Sequence, residues 1–125
     1  MNFFQAVGIC FTKYATFTGR ARRAEYWWFF LFTFLASFLL TIFDEAAGVS
    51  LSGAFSLAVF IPAIAVTARR LHDTGRSGWW QLLVLVPLIG VIVLLVWLVT
   101  RGKSGPNAYG GDPLVSDNAG ESAQM

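Results

Sequence analysis

The amino-acid sequence predicts an all-α membrane protein: three transmembrane helices preceded by an amphipathic helix in the membrane interface. Three observations carry this. The 125-residue chain is 56% hydrophobic and only 13% charged, where soluble domains average about 25% charged residues. A water-soluble fold of this size has too little interior to hide so much apolar surface. Three long stretches, about 26–43, 51–68 and 79–99, carry no charge at all. Finally, seven of the nine basic residues fall in two short segments, Lys13 to Arg23 and Arg69 to Arg76.

At the N-terminus, no basic segment precedes the first apolar residues and no small-residue cleavage site follows, so the sequence does not read as a cleavable signal. Phe3, Val7, Cys10, Tyr14 and Phe17 instead recur at helical spacing, with Asn2, Gln5, Thr12, Lys13 and Thr16 mostly elsewhere. This pattern fits an amphipathic helix lying in the interface, and equally one packed on the protein's own bundle. Cys10 is the single cysteine, so no internal disulfide forms, and a lone cysteine in an apolar stretch is most often an inert small hydrophobe.

The three uncharged runs have the length of bilayer spans. Runs of 18–21 residues, read as α-helix, reach roughly 27–32 Å, enough to cross the hydrocarbon core. Ser52, Gly53 and Ser56 dilute the start of the second run. Its small residues Gly53, Ala54, Ala58, Ala63 and Ala65 permit close helix packing, between copies of the chain or with a larger membrane complex. Pro62 and Pro87 lie inside runs two and three and read as kinks, tolerated where neighbours satisfy the freed carbonyl. Pro87 with Gly90 also fits the turn of a re-entrant hairpin. The membrane domain covers 1–114, "NAYGGDPL" reads as a turn, and 115–125 as a disordered tail.

Orientation follows from the basic residues. With three spans, the N-terminal segment and the second loop share a side, and seven of the nine basic residues with them. That side is cytoplasmic by the positive-inside rule, and the C-terminus is then periplasmic. Arg101 and Lys103 are left on the wrong side; a re-entrant third segment would bring all nine together. Trp27, Trp28, Trp79 and Trp80 form an aromatic belt at one interface, with Trp97 near the other.

"FTGRARRAEYWWF" before the first span, "RRLHDTGRSGWW" before the third, "PLIG" within it and "GPNAYGGDP" after it occur in this order. Together they resemble the DUF805 family of small bacterial inner-membrane proteins, the YhaH-like group. The resemblance covers roughly positions 3–114. It implies a multi-pass membrane protein of the bacterial inner (plasma) membrane and no particular activity. One departure is Ala108, where the family often carries a basic residue.

Candidate functional residues concentrate in the two basic segments. Arg69, His72, Asp73 and Arg76 share a helical face if the second helix continues past the membrane. Gly75 then suits a left-handed cap and Ser77 caps the next helix. Asp73 has Arg69 one turn away, and Arg20, Arg22 or Arg23 across the bundle; Glu25 offers a reciprocal partner. One reading is structural, with Arg–Asp and Arg–Glu pairs clamping the cytoplasmic helix ends. The alternative is an anion site, most simply for an anionic lipid headgroup, built from Arg20, Arg22, Arg23, Arg69, Arg70 and Arg76 with His72. Catalysis and metal binding are not expected: His72 is the single histidine, one adjacent carboxylate falls short of a metal site, and there is no convincing nucleophile. Membrane lipids are the expected partners, with no cofactor. The net charge of +2 is too small to suggest nucleic acid.

Overall fold

The computed structural model describes residues 1–114; the expected disordered tail, 115–125, lies outside them. The described residues form an all-α fold: α1 (Phe3–Thr12), α2 (Arg23–Ala47), α3 (Leu51–Asp73), a 3-10 segment (Gly78–Leu85) and α4 (Ile89–Val99).

α1 begins at a capping box: Asn2 Oδ1 accepts from the Gln5 amide at 2.8 Å, and Gln5 Oε1 from the Asn2 amide at 3.0 Å. It ends at Thr12, so Tyr14 and Phe17 lie beyond it rather than on its stripe. Phe3 packs edge-on against Trp28 and Phe32, and Phe11 against Phe29 and Phe32. Ala6 and Cys10 are fully buried. Of the two readings of this helix, packing on the protein's own bundle is the one the contacts support.

α2 and α3 are long enough to cross a bilayer, at about 37 and 34 Å, and both are strongly apolar. Their outer faces are bare: Phe34 is 60% exposed, Leu39 64% and Leu57 78%. Contiguous aromatic and leucine surface on this scale marks contact with lipid or another protein. Gly48, in the left-handed region, ends α2. The Asp44 carboxylate then accepts from the amides of Leu51 and Ser52 at 2.8 and 2.9 Å and from the Ser52 hydroxyl at 2.6 Å. Pro62 has no N–H for the Ala58 carbonyl, and the Tyr14 hydroxyl donates to that carbonyl at 2.5 Å.

As the arginine spacing anticipates, α3 runs on to Asp73. Gly75 (φ +79°) follows it; its amide donates to His72 O and the Arg76 amide to Leu71 O, both at 2.9 Å. This is a Schellman closure. Ser77 then caps the next segment by accepting from the Trp79 amide at 3.3 Å.

The third uncharged run departs from a single spanning helix. Its 3-10 arm covers about 16 Å and α4 about another 16 Å, each half a bilayer core. Between them Pro87 cannot continue the ladder. Leu88 adopts φ +66°, ψ −68°, and the Ile89 amide donates to Pro87 O at 2.8 Å, a γ-turn in its rare form. A Cβ at Gly90 would collide with the Leu83 carbonyl, so only glycine lets the arms approach. The run therefore folds back as a hairpin, the arrangement that Pro87 and Gly90 permit. α4 packs Leu94 and Leu98 on Leu71. Trp97 meets Trp80, ring centroids 5.7 Å apart, so it lies at the same end as that tryptophan and not at the opposite interface. Likewise the segment after α4 does not leave on the far side: Lys103 donates its amide to Asp73 O at 2.9 Å.

Candidate functional site: a buried arginine–carboxylate cluster

The hairpin returns its chain to the end of the bundle where α2 begins and α3 stops, and there the predicted charged residues meet. Arg20, just before α2, is 7% exposed, and Arg69 and Arg70 are fully buried. Arg20 Nε donates to Asp73 Oδ1 at 3.0 Å, and Arg70 Nη1 to Asp73 Oδ2 at 2.6 Å. One carboxylate thus bridges two guanidinium groups. Of the partners the sequence left open for Asp73, Arg20 across the bundle is found, and Arg70 at i,i+3 takes the second oxygen in place of Arg69 at i,i+4. Arg69 turns instead to α2, where its Nη1 donates to Glu25 Oε2.

The remaining donors of Arg20 and Arg70 go to backbone carbonyls. Arg20 reaches Gly105 O (2.6 Å) and Gly110 O (3.3 Å) through Nη1, and Lys103 O (2.5 Å) and Asp73 O (3.3 Å) through Nη2. Arg70 Nε reaches Leu98 O at 3.1 Å, and its Nη2 donates to Thr100 O. Arg23 Nη1 adds Val99 O at 3.2 Å, and Trp27 Nε1 shares Leu98 O at 3.2 Å. The last carbonyls of a helix have no intrahelical donor and carry partial negative charge. Cationic side chains from α2 and α3 therefore cap the hairpin's second arm. At position 102 a side chain has no room, because the Asp73 carboxylate occupies the space.

Arg69 is poorly served by comparison: its Nε and Nη2 are buried without a hydrogen-bond partner among the described residues. Beside it, Cys10 Sγ lies 3.9 Å from Glu25 Oε2. Burial, reinforced by the Glu25 charge, pushes the thiol up to about 12. It is therefore protonated at neutral pH and a poor nucleophile.

His72 and Asp73 are neighbours in sequence but serve different groups. The His72 ring stacks on Tyr109 with centroids 4.1 Å apart and planes at 1°, and its Nδ1 bonds Gly19 O at 2.9 Å. Asn107 Nδ2 donates to His72 O at 2.9 Å. Arg76 stands over the Trp97 ring at 4.5 Å. Arg22, Arg23 and Arg101 line a small pocket of about 240 Å³ that adjoins the cluster, since Asp73 and Gly102 also form part of its wall. Trp28 packs on Phe3, while Trp79 is 79% exposed. The sequence reading missed Asn107 and Tyr109 as part of the cluster. Their signal was the "NAYG" turn, in which Asn107 Oδ1 accepts from the Tyr109 amide at 2.8 Å. Ala108, the departure noted above, is exposed and takes no part.

Comparison with known proteins gives a consistent result. The family described as "Protein of unknown function (DUF805)" matches residues 14–111. The inner membrane protein YhaI of Escherichia coli (strain K12) is 46% identical over 109 residues, covering 85% of this chain and 92% of its own. The inner membrane protein YhaH of the same strain is 42% identical over 108 residues, covering 81% and 89%. No solved structure matches.

Proposed function

The chain belongs to the DUF805 family, and from that premise we propose that it is an integral inner-membrane protein, not an enzyme. In this reading α2 and α3 span the bilayer, and the hairpin of residues 78–99 re-enters it. Both termini of the described chain face the cytoplasm. The names of its relatives support the membrane, and the charge distribution supports the orientation. All nine basic residues lie away from the end where α2 meets α3, whose charged residues are Asp44 and Glu45 in the last turn of α2.

The arginine cluster acts as a clamp that fixes the hairpin to the spanning helices. The observation that carries this is the use of Arg20 and Arg70: both are buried, and each joins the Asp73 carboxylate to carbonyls after or at the end of α4. Neither offers a donor outward, so an anionic headgroup has no access to them. A second reading rests on the neighbouring pocket lined by Arg22, Arg23 and Arg101, which is large enough for a phosphate group but also presents the Asp73 carboxylate to it. A double-mutant cycle tests the clamp. Arg20→Gln and Asp73→Asn should each lower the melting temperature of the detergent-purified protein, and the double variant should be no worse than the poorer single. Additive losses would reject a shared clamp.

A further inference from the structure

We propose that a slot between α3 and the 3-10 segment binds one acyl chain of a glycerol-based membrane amphiphile, whose free hydroxyl donates to His72 Nε2. The slot has a volume of about 760 Å³, in the range of small-molecule sites. Phe60, Ile64, Ala68 and His72 line one wall. They recur every fourth residue along a single stripe of α3, so the wall runs about 18 Å, the length of a stretched fatty-acyl chain. Leu82 and Leu85 line the facing wall. Both Phe60 and Leu85 are exposed, at 58% and 75%, so the slot opens sideways along its length, where α3 would meet lipid.

Polarity changes along the slot in the way an amphiphile requires. Its deep end is aliphatic and aromatic; its shallow end holds the polar His72, Ser77 and Gln81, with Trp79 beside them. The imidazole there is fixed on two sides, by Tyr109 on its face and by Gly19 O on Nδ1. A carbonyl only accepts, so Nδ1 carries the proton, and in neutral histidine Nε2 is then a bare acceptor. Nε2 faces Gly78 of the slot lining, and among the described residues it has no hydrogen-bond partner. The site therefore selects a ligand that donates, a hydroxyl, above an apolar tail. The Ser77 hydroxyl accepts from the Trp79 amide, which leaves its hydrogen for an ester carbonyl below that hydroxyl.

The test uses the full chain in detergent with two probes sharing one tail: monooleoylglycerol, with free hydroxyls, and methyl oleate, with none. Native mass spectrometry should show saturable one-to-one binding of the first, and about tenfold weaker binding of the second, the value of one hydrogen bond. In His72→Asn the amide nitrogen replaces Nδ1 and nothing replaces Nε2, so the two probes should bind alike. Ile64→Trp should fill the slot and remove both; Leu82→Trp is a second filler should the first fail to fold. Equal binding of both probes to the wild type, or wild-type binding by a folded slot-filling variant, would overturn the proposal. So would a folded protein, alone or self-associated through this face, that binds neither probe. The inference rests on the membrane placement and not on the clamp. A folded, membrane-extracted protein that ignores both probes removes the ligand and leaves that placement standing.

Discussion

Two adjacent arginines on α3 show how much a residue's identity leaves undetermined. Arg69 and Arg70 are both fully buried, yet a turn of about 100° between consecutive helical positions sends them to different partners. Arg70 finds the Asp73 carboxylate and the carbonyls of Leu98 and Thr100. Arg69 finds Glu25 and leaves two nitrogens without a partner among the described residues. The sequence made both visible as juxtamembrane charge, and Glu25 and Asp73 visible as counter-charges. It offered Arg20 to Asp73 across the bundle as one of several partners but could not choose among them, and it did not single out the Arg70–Asp73 or Arg69–Glu25 pairs, because the i,i+4 rule ranks only partners on one helix. A buried pair broken on one side leaves an uncompensated charge, at a cost of about 3–5 kcal/mol, whereas well-packed apolar replacement of both is often neutral or favourable. Arg69→Met and Glu25→Leu should therefore each depress the melting temperature strongly. The double variant should recover most of the loss, more fully than any apolar replacement of Arg70 with Asp73, because Arg69 starts with two unsatisfied donors. Thermal unfolding followed by circular dichroism in detergent reads this directly.

At the scale of elements, the helices that pack on others in regular fashion were legible and the irregular ones were not. α2 and α3 follow from uncharged runs of spanning length, and the Gly75 and Ser77 caps from their residue types. The third run is as apolar as the first two, so hydropathy alone cannot separate one long helix from two half-length arms. Only Pro87 and Gly90 hinted at the fold-back, and what decides it is the collision a Cβ at Gly90 would make with Leu83 O. The proline in α3 has a partner the sequence did not advertise. Tyr14 sits 44 residues from Ala58, and its hydroxyl donates to the carbonyl that Pro62 cannot serve. On the membrane placement proposed above, Tyr14→Phe should destabilise the protein by about 1–3 kcal/mol, the cost of a carbonyl left unsatisfied on the lipid-facing side of a spanning helix. In a Pro62→Ala background the restored amide at position 62 serves that carbonyl, so the same Tyr14→Phe change should then cost almost nothing. Equal losses in both backgrounds, measured as shifts in unfolding midpoint, would assign Tyr14 to packing alone.

For the whole molecule, the arginine cluster and the hairpin make one statement about topology. If residues 79–99 crossed the bilayer as a third helix, the carbonyls of Leu98 and Thr100 would sit about 30 Å from Arg70. Arg70 would lose both bonds, Arg20 would lose Lys103, Gly105 and Gly110, and Asp73 would hold two half-served guanidinium groups in a buried site. Arg101 and Lys103 would stand on the periplasmic side against the charge rule. Folding the run back removes all of these costs together, and the 4.5 Å stack of Arg76 on Trp97 forms only in that arrangement. Fusions placed after Leu114 should therefore behave as cytoplasmic: a fluorescent protein there should light up, and alkaline phosphatase should stay inactive. A phosphatase inserted at Gly48, in the turn between α2 and α3, should be active. Arg70→Ala supplies the sharper arm. If the clamp holds the hairpin in place, this variant should expose a cysteine introduced at Ser104 to membrane-impermeant reagents faster than the intact protein does, while the fusions still report the same side. Periplasmic labelling of that cysteine in the wild type would restore three spans and dissolve the clamp with them.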